Sequence, residues 1–231
     1  MKTTLITFLI MFMFGNHSYA QNRMTAHVGV GVPIGEFGEG DEYFGYIKNT
    51  SYAGNGLAIG LTYQYPLGDQ GLYAFGDVSI ARNALRRRYR REYAEWAEED
   101  MSINHSEYYN IPLQIGAMYQ RNVEENIAVY LRGGILLNFL KITKTRTTTE
   151  SGSGDLIRER RYAMRSAIGA SFETGVVISD KVQIGLGITR HGRFRIGEDQ
   201  YTFVPNGIEE TGYSEATKNV TMLNLKVGYR F

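Results

Sequence analysis

The chain has no cysteine among its 231 residues. That excludes a disulfide framework and thiolate metal sites, and it removes the acceptor for a bacterial lipoprotein anchor. Proline is scarce at 4 residues, whereas glycine reaches 27 and tyrosine 17, a balance that suits many long strands rather than a helical core. No segment after the first residues approaches the roughly 18 consecutive apolar residues of a membrane-crossing helix. Mean hydropathy is negative, so any embedding in a bilayer must come from alternating strands. Charge of one sign is lacking as well: the formal net charge is +1, which argues against a dedicated nucleic-acid binder.

The chain opens with Lys2, an apolar run from Leu5 to Phe14, and the small-x-small triplet Ser18-Tyr19-Ala20. A positive start, a short apolar core and such a triplet read as a secretory signal over residues 1–20, with the mature chain beginning near Gln21. Residues 21–231 then form one domain.

Within that domain, eight segments alternate between apolar residues and small or polar ones. Val28, Val30 and Val32 oppose His27, Gly29 and Gly31 in the first, and Leu57, Ile59, Leu61, Tyr63 and Tyr65 oppose Ala58, Gly60, Thr62 and Gln64 in the second. The third, from Leu72 to Ile80, has an ambiguous register because Tyr73 and Phe75 share a face with Asp77. Asp77 is placed inward, since a charge facing lipid costs about 2–4 kcal/mol at the bilayer midplane. The fourth (Tyr108 to Gln120), fifth (from Ile127), sixth (Ile168 to Ile178) and seventh (from Val182) repeat the period. In the eighth, Leu223, Leu225, Val227, Tyr229 and Phe231 share a face opposite Asn224, Lys226, Gly228 and Arg230. Each segment thus has one face suited to hydrocarbon and one suited to a narrow polar interior.

Connections after the second, fourth and sixth segments are short, the last a two-residue turn at Asp180-Lys181, whereas those after the first, third, fifth and seventh run to about twenty to thirty residues. This is the asymmetry of periplasmic turns and extracellular loops. The chain is therefore expected to be all-β, an eight-stranded antiparallel up-and-down transmembrane barrel, closed because an open sheet edge in hydrocarbon would leave amides without partners. A soluble barrel of lipocalin type would turn its apolar face inward around a ligand.

The signal, the eight segments, the Asn110-Ile111-Pro112-Leu113 stretch and the terminal Tyr-x-Phe together resemble the outer-membrane β-barrel domain family, a porin-like group similar in architecture to the small OmpA and OmpX barrels. The resemblance implies the outer membrane of a Gram-negative envelope. It also implies that the face carrying Leu223, Leu225, Val227, Tyr229 and Phe231 serves as the signal read by the barrel-assembly machinery.

Asp77, Arg132, Glu173 and Lys226 fall on the inward face, and an eight-stranded barrel is just wide enough for its interior to be filled by side chains. These four are expected to meet as a charge network. It is either a fixed polar core that compensates buried charge or a gate whose exchanging partners open a water path. Catalytic chemistry is a distant alternative: an outer-membrane hydrolase would pair His105 or His191 with a loop carboxylate. No cofactor and no metal ligand set is read from the chain.

Arginines collect in the long connections: Arg86, Arg87 and Arg88; Arg158, Arg160 and Arg161; Arg193 and Arg195. Guanidinium groups at the outer rim suit lipopolysaccharide phosphates. Self-neutralisation by neighbouring acids such as Glu92, Glu95 and Glu98 is the competing reading. The first and fourth connections, Gly35 to Asn55 and Gly192 to Val220, are rich in Tyr, Gly, Asn and Phe, which suits adaptable loops that recognise an extracellular ligand. The expected protein is a monomeric outer-membrane barrel with a structural or surface-interaction role in adhesion or envelope integrity, and the alternative is a narrow gated porin-like channel.

Overall fold

Alternation becomes strand in every one of the eight segments. The computed structural model describes residues 22–38, 53–68, 70–87, 101–149, 155–204 and 207–231; the segment read as a signal lies outside them. Eight strands form a ring: β1 (Arg23–Ile34), β2 (Ala53–Pro66), β3 (Leu72–Leu85), β5 (Glu107–Glu124), β6 (Ile127–Ile142), β9 (Arg165–Ile178), β10 (Val182–Val204) and β11 (Gly207–Arg230). Each pairs antiparallel with the next, and β11 pairs with both β10 and β1, which closes the barrel. Closure gives every strand two partners, the condition for crossing hydrocarbon without orphaned amides.

The faces sort by chemistry. Outward lie Val28 and Val30 on β1, Leu57 and Ile59 on β2, Ile115 on β5, Ile135 on β6, and Leu223, Leu225 and Val227 on β11, all exposed. Inward and buried are Thr25, His27, Thr62, Asp77, Asn110, Arg132 and Glu173. Asp77 faces the lumen, so the register chosen for the third segment holds. A soluble barrel would show the reverse arrangement. Tyr65, Tyr119, Tyr229 and Phe231 stand exposed near the end that carries the short turns, where rings with one polar tip suit the boundary between headgroup and acyl chain. Tyr229 and Phe231 touch, their ring centroids 5.8 Å apart.

The turn between β9 and β10 spans Ser179, Asp180 and Lys181, one residue more than the expected Asp180-Lys181. Ser179 and Asp180 take φ of 51° and 57°, and the Lys181 N–H donates to the Ile178 carbonyl at 3.0 Å. Two successive left-handed residues give a hairpin turn whose twist matches that of its strands, and Asp tolerates that conformation better than most side chains.

The long connections depart further from expectation. The segment read as a fourth loop, Gly192 to Val220, is mostly strand: β10 and β11 stay paired from Val182 opposite Tyr229 up to Val204 opposite Gly207. Arg158, Arg160 and Arg161 lie in a strand as well, β8 (Leu156–Tyr162), which pairs with the outer part of β10 and with β7 (Thr145–Thr149); β7 pairs in turn with β4 (Met101–Asn104). Beyond the ring, the chain therefore builds a five-stranded sheet in the order β11-β10-β8-β7-β4. β7 and β8 lack a purely apolar face. Their pairing is supplied by β10, which continues past the barrel and offers its edge.

Candidate functional site

β6 carries Arg132 directly opposite Glu173 on β9. Arg132 Nη2 donates to Glu173 Oε2 at 2.8 Å, and Lys226 Nζ from β11 approaches the same oxygen at 3.3 Å. Tyr130, two residues before Arg132 and on the same face, donates its hydroxyl to Glu173 Oε1 at 2.7 Å. Glycine makes this arrangement possible: a Cβ at Gly185 would stand 2.1 Å from the Tyr130 hydroxyl and 2.6 Å from Glu173 Oε1. The Arg132 guanidinium lies 5.3 Å from the centre of the Phe75 ring, within cation–π range.

Asp77 has different partners. It faces Thr62 across the β2–β3 pair, accepts the Thr62 hydroxyl at 2.5 Å, and lies 2.9 Å from His27 Nε2. Thr62 Oγ1 also accepts Arg132 Nη1 at 3.4 Å, so one hydroxyl links the two carboxylate centres. The four charged residues read from the sequence share one layer of the lumen, in two groups bridged by Thr62. His27, Thr62 and Tyr130 were not foreseen as members. Their position on the inward face of their segments was the only signal, and it could not say which neighbours they meet across the barrel.

Apolar clusters flank this layer. Toward the short turns lie Phe75, Met118, Ala128, Tyr130 and Val177. At the other end a larger cluster joins Phe37, Leu85, Tyr108, Leu140, Ile142, Phe194, Ile196, Val220 and Met222. Phe37 comes from a 3-10 turn after β1, Gly35–Phe37, is wholly buried, and meets Tyr108 edge to face at 5.4 Å. Between that cluster and the charges lies an amide layer in which Asn138 Nδ2 donates to Asn110 Oδ1 at 2.9 Å. The cavity among the charged residues measures about 10 Å³, about the room one water needs. A wider opening of about 700 Å³, lined among others by Arg23, Tyr73, Gln120, Arg121 and Asp180, lies at the short-turn mouth.

The arginines of the connections divide. Arg86 and Arg87 are exposed after β3, and Arg88 and the acidic run after it lie outside the described residues. On β8, Arg160 Nε lies 3.4 Å from Glu198, while Arg161 donates to Glu159 at 2.6 Å and stacks over Tyr201 at 4.8 Å; Arg158 lies in the same strand. Glu159 also accepts Lys144 at 3.0 Å. Arg193 and Arg195 project outward from β10. His191, expected in or near a loop, is instead buried on β10. Among the described residues no three His, Asp or Glu side chains gather as a metal site.

A closed ring with an apolar exterior and a polar, charged interior defines an outer-membrane β-barrel protein. Small barrels of that compartment are what the chain is similar to among solved structures. Neisserial surface protein A matches at 14% identity over 92% of this chain and 98% of its own, with a TM-score of 0.44. A major outer membrane protein from Thermus thermophilus matches at 12% identity, 91% and 99% coverage and a TM-score of 0.48. OprG from Pseudomonas aeruginosa matches at 8% identity, 94% and 98% coverage and a TM-score of 0.48. No family model matches the chain, and no curated protein matches it in sequence.

Proposed function

We propose that this protein is a non-conducting, non-catalytic outer-membrane barrel that holds a rigid β-sheet outside the cell as a surface for interaction. The observation that carries the reading is the filled lumen. A charged layer around a cavity of about 10 Å³ lies between two apolar clusters, and a charge crossing either cluster would lose its hydration. The long-connection side supports the second half of the reading. Outer-membrane barrels place short turns in the periplasm and long connections outside, and here the described parts of the second, third and fourth long connections pair into strands. A sheet presents fixed side chains, so less ordering entropy is lost on contact with a partner than with free loops.

Planar-bilayer recording of the refolded barrel and of Glu173→Ala tests the proposal. Silent membranes with confirmed insertion of both proteins are expected. Reproducible conductance steps that change with the substitution would replace this reading with the gated channel.

A further inference from the structure

Three arginines separate themselves from the rest. On β10 the outward residues run Val182, Ile184, Leu186, Ile188, Arg190 and then Arg193, Arg195, all exposed. A strict period of two would send Arg193 and Arg195 into the lumen and turn Phe194 and Ile196 to the outside. A bulge between Arg190 and Gly192 prevents this, because one extra residue flips every later side chain to the other face. Gly192 takes φ +115°, and a Cβ there would stand 2.6 Å from the Ile168 carbonyl and 2.7 Å from Ala167 Cβ. The glycine bulge thus buries Phe194 and Ile196 and aligns three guanidinium groups with the lipid-facing row.

Height and surroundings then decide what they meet. From Val182 to Arg190 the strand rises about 20 Å, taking about 3.3 Å per residue and a tilt of about 40°. Arg190 therefore stands near the outer edge of an apolar band about 25 Å tall, where its long side chain reaches the headgroups, and Arg193 and Arg195 follow at headgroup level. Opposite them on β11 stand Thr221, Asn219 and Thr217, whose hydroxyl and amide groups can donate to an anion. The Asn219 amide donates to Glu36; none of the three arginines has an ion-pair partner among the described residues. Arg82, also outward, has its charge matched by Glu107, with Nε donating to Oε2 at 2.9 Å.

We propose that Arg190, Arg193 and Arg195 form a binding site for the phosphate groups of an outer-leaflet phosphorylated lipid. Guanidinium pairs bind phosphate bidentately, and the apolar row below would lie along the acyl chains of the same molecule. The inference rests on the outer-membrane placement of the barrel and is independent of whether its lumen conducts.

The test compares unfolding temperatures, read by the heat-dependent gel shift, in phosphatidylcholine vesicles containing either bisphosphorylated lipid A or lipid A stripped of its phosphates. The bisphosphorylated lipid is expected to raise the unfolding temperature of the wild type and the stripped lipid to leave it unchanged. In Arg190→Gln/Arg193→Gln/Arg195→Gln the rise should disappear, whereas the triple lysine variant should keep part of it. Equal rises with both lipids, or in wild type and the glutamine variant, would overturn the site. A full rise from inorganic phosphate alone would overturn its assignment to lipid. The two-lipid comparison on the wild type stands without any variant, so a misfolded variant would not rescue the proposal.

Discussion

Arg132 and Glu173 stand opposite one another across the β6–β9 pair, 2.8 Å apart, with 3% and 7% of their side chains exposed. Two charges buried at that depth are held by geometry rather than by water, and each depends on the other. Glu173→Ala leaves the guanidinium uncompensated, so a loss of about 3–5 kcal/mol in unfolding free energy is expected, as for other buried pairs broken on one side. Replacing both, as Arg132→Met with Glu173→Leu, should recover only part of it, because Lys226 and the Tyr130 hydroxyl also lose Glu173. Urea unfolding from lipid vesicles in a double-mutant cycle measures the coupling, and strictly additive losses would show that the pair is not a unit.

The second expectation concerns the wall. Leu225 faces lipid on β11, 52% exposed, and pairs with Val30 and Leu186 on either side. Leu225→Arg should cost about 2–4 kcal/mol if it lies near the midplane and should deplete the folded barrel from the membrane fraction. Asn224→Ser, on the lumen face, should assemble normally. Equal recovery of the two variants would contradict the outward register.

Phe37 closes the outer end of the lumen. Its truncation to alanine removes a fully buried ring from the cluster around Tyr108 and Phe194, and a loss of about 3–5 kcal/mol is the usual scale for such a change. Conductance should nevertheless stay absent, because the charged layer and the second cluster remain below it. A variant that conducts would identify Phe37 as the sole barrier.

Acid should loosen the external sheet before the barrel. At Glu159 on β8, burial opposes the charged form, but hydrogen bonds from Arg161 and Lys144 outweigh it and hold the carboxyl below its usual range. A group whose folded value is depressed contributes stability above its unfolded value and loses it as pH falls through the folded one. Protease cleavage within residues 144–162 of the reconstituted protein should therefore increase on acidification below the usual carboxylate range. Glu159→Gln should be cleaved faster at neutral pH and show a flatter pH response; an unchanged profile would refute the role of this carboxylate.

The particular residues show what could be read in advance. Asp77 could be placed inward from the cost of a charge in lipid, and Leu223, Leu225 and Val227 could be placed outward from their alternation, because a two-residue period and two unlike solvents leave one solution per strand. The external sheet could not be read this way. Arg158, Glu159 and Arg160 carry no apolar alternation, and they become strand because β10 extends beyond the barrel to pair with them.

The amino-acid sequence by itself determined the ring: eight alternating segments, long and short connections in turn, and the face each residue shows to lipid or lumen, all set by local chemistry repeated along the chain. The tertiary structure alone decided which lumen groups meet. His27 reaches Asp77 from 50 residues away and Arg132 reaches Thr62 from 70, contacts that depend on how far each strand is staggered around a closed barrel. It also decided, through one bulge at Gly192, that Arg193 and Arg195 point outward while Phe194 fills the core. Such a shift depends on the space left by neighbouring strands, which no local pattern encodes.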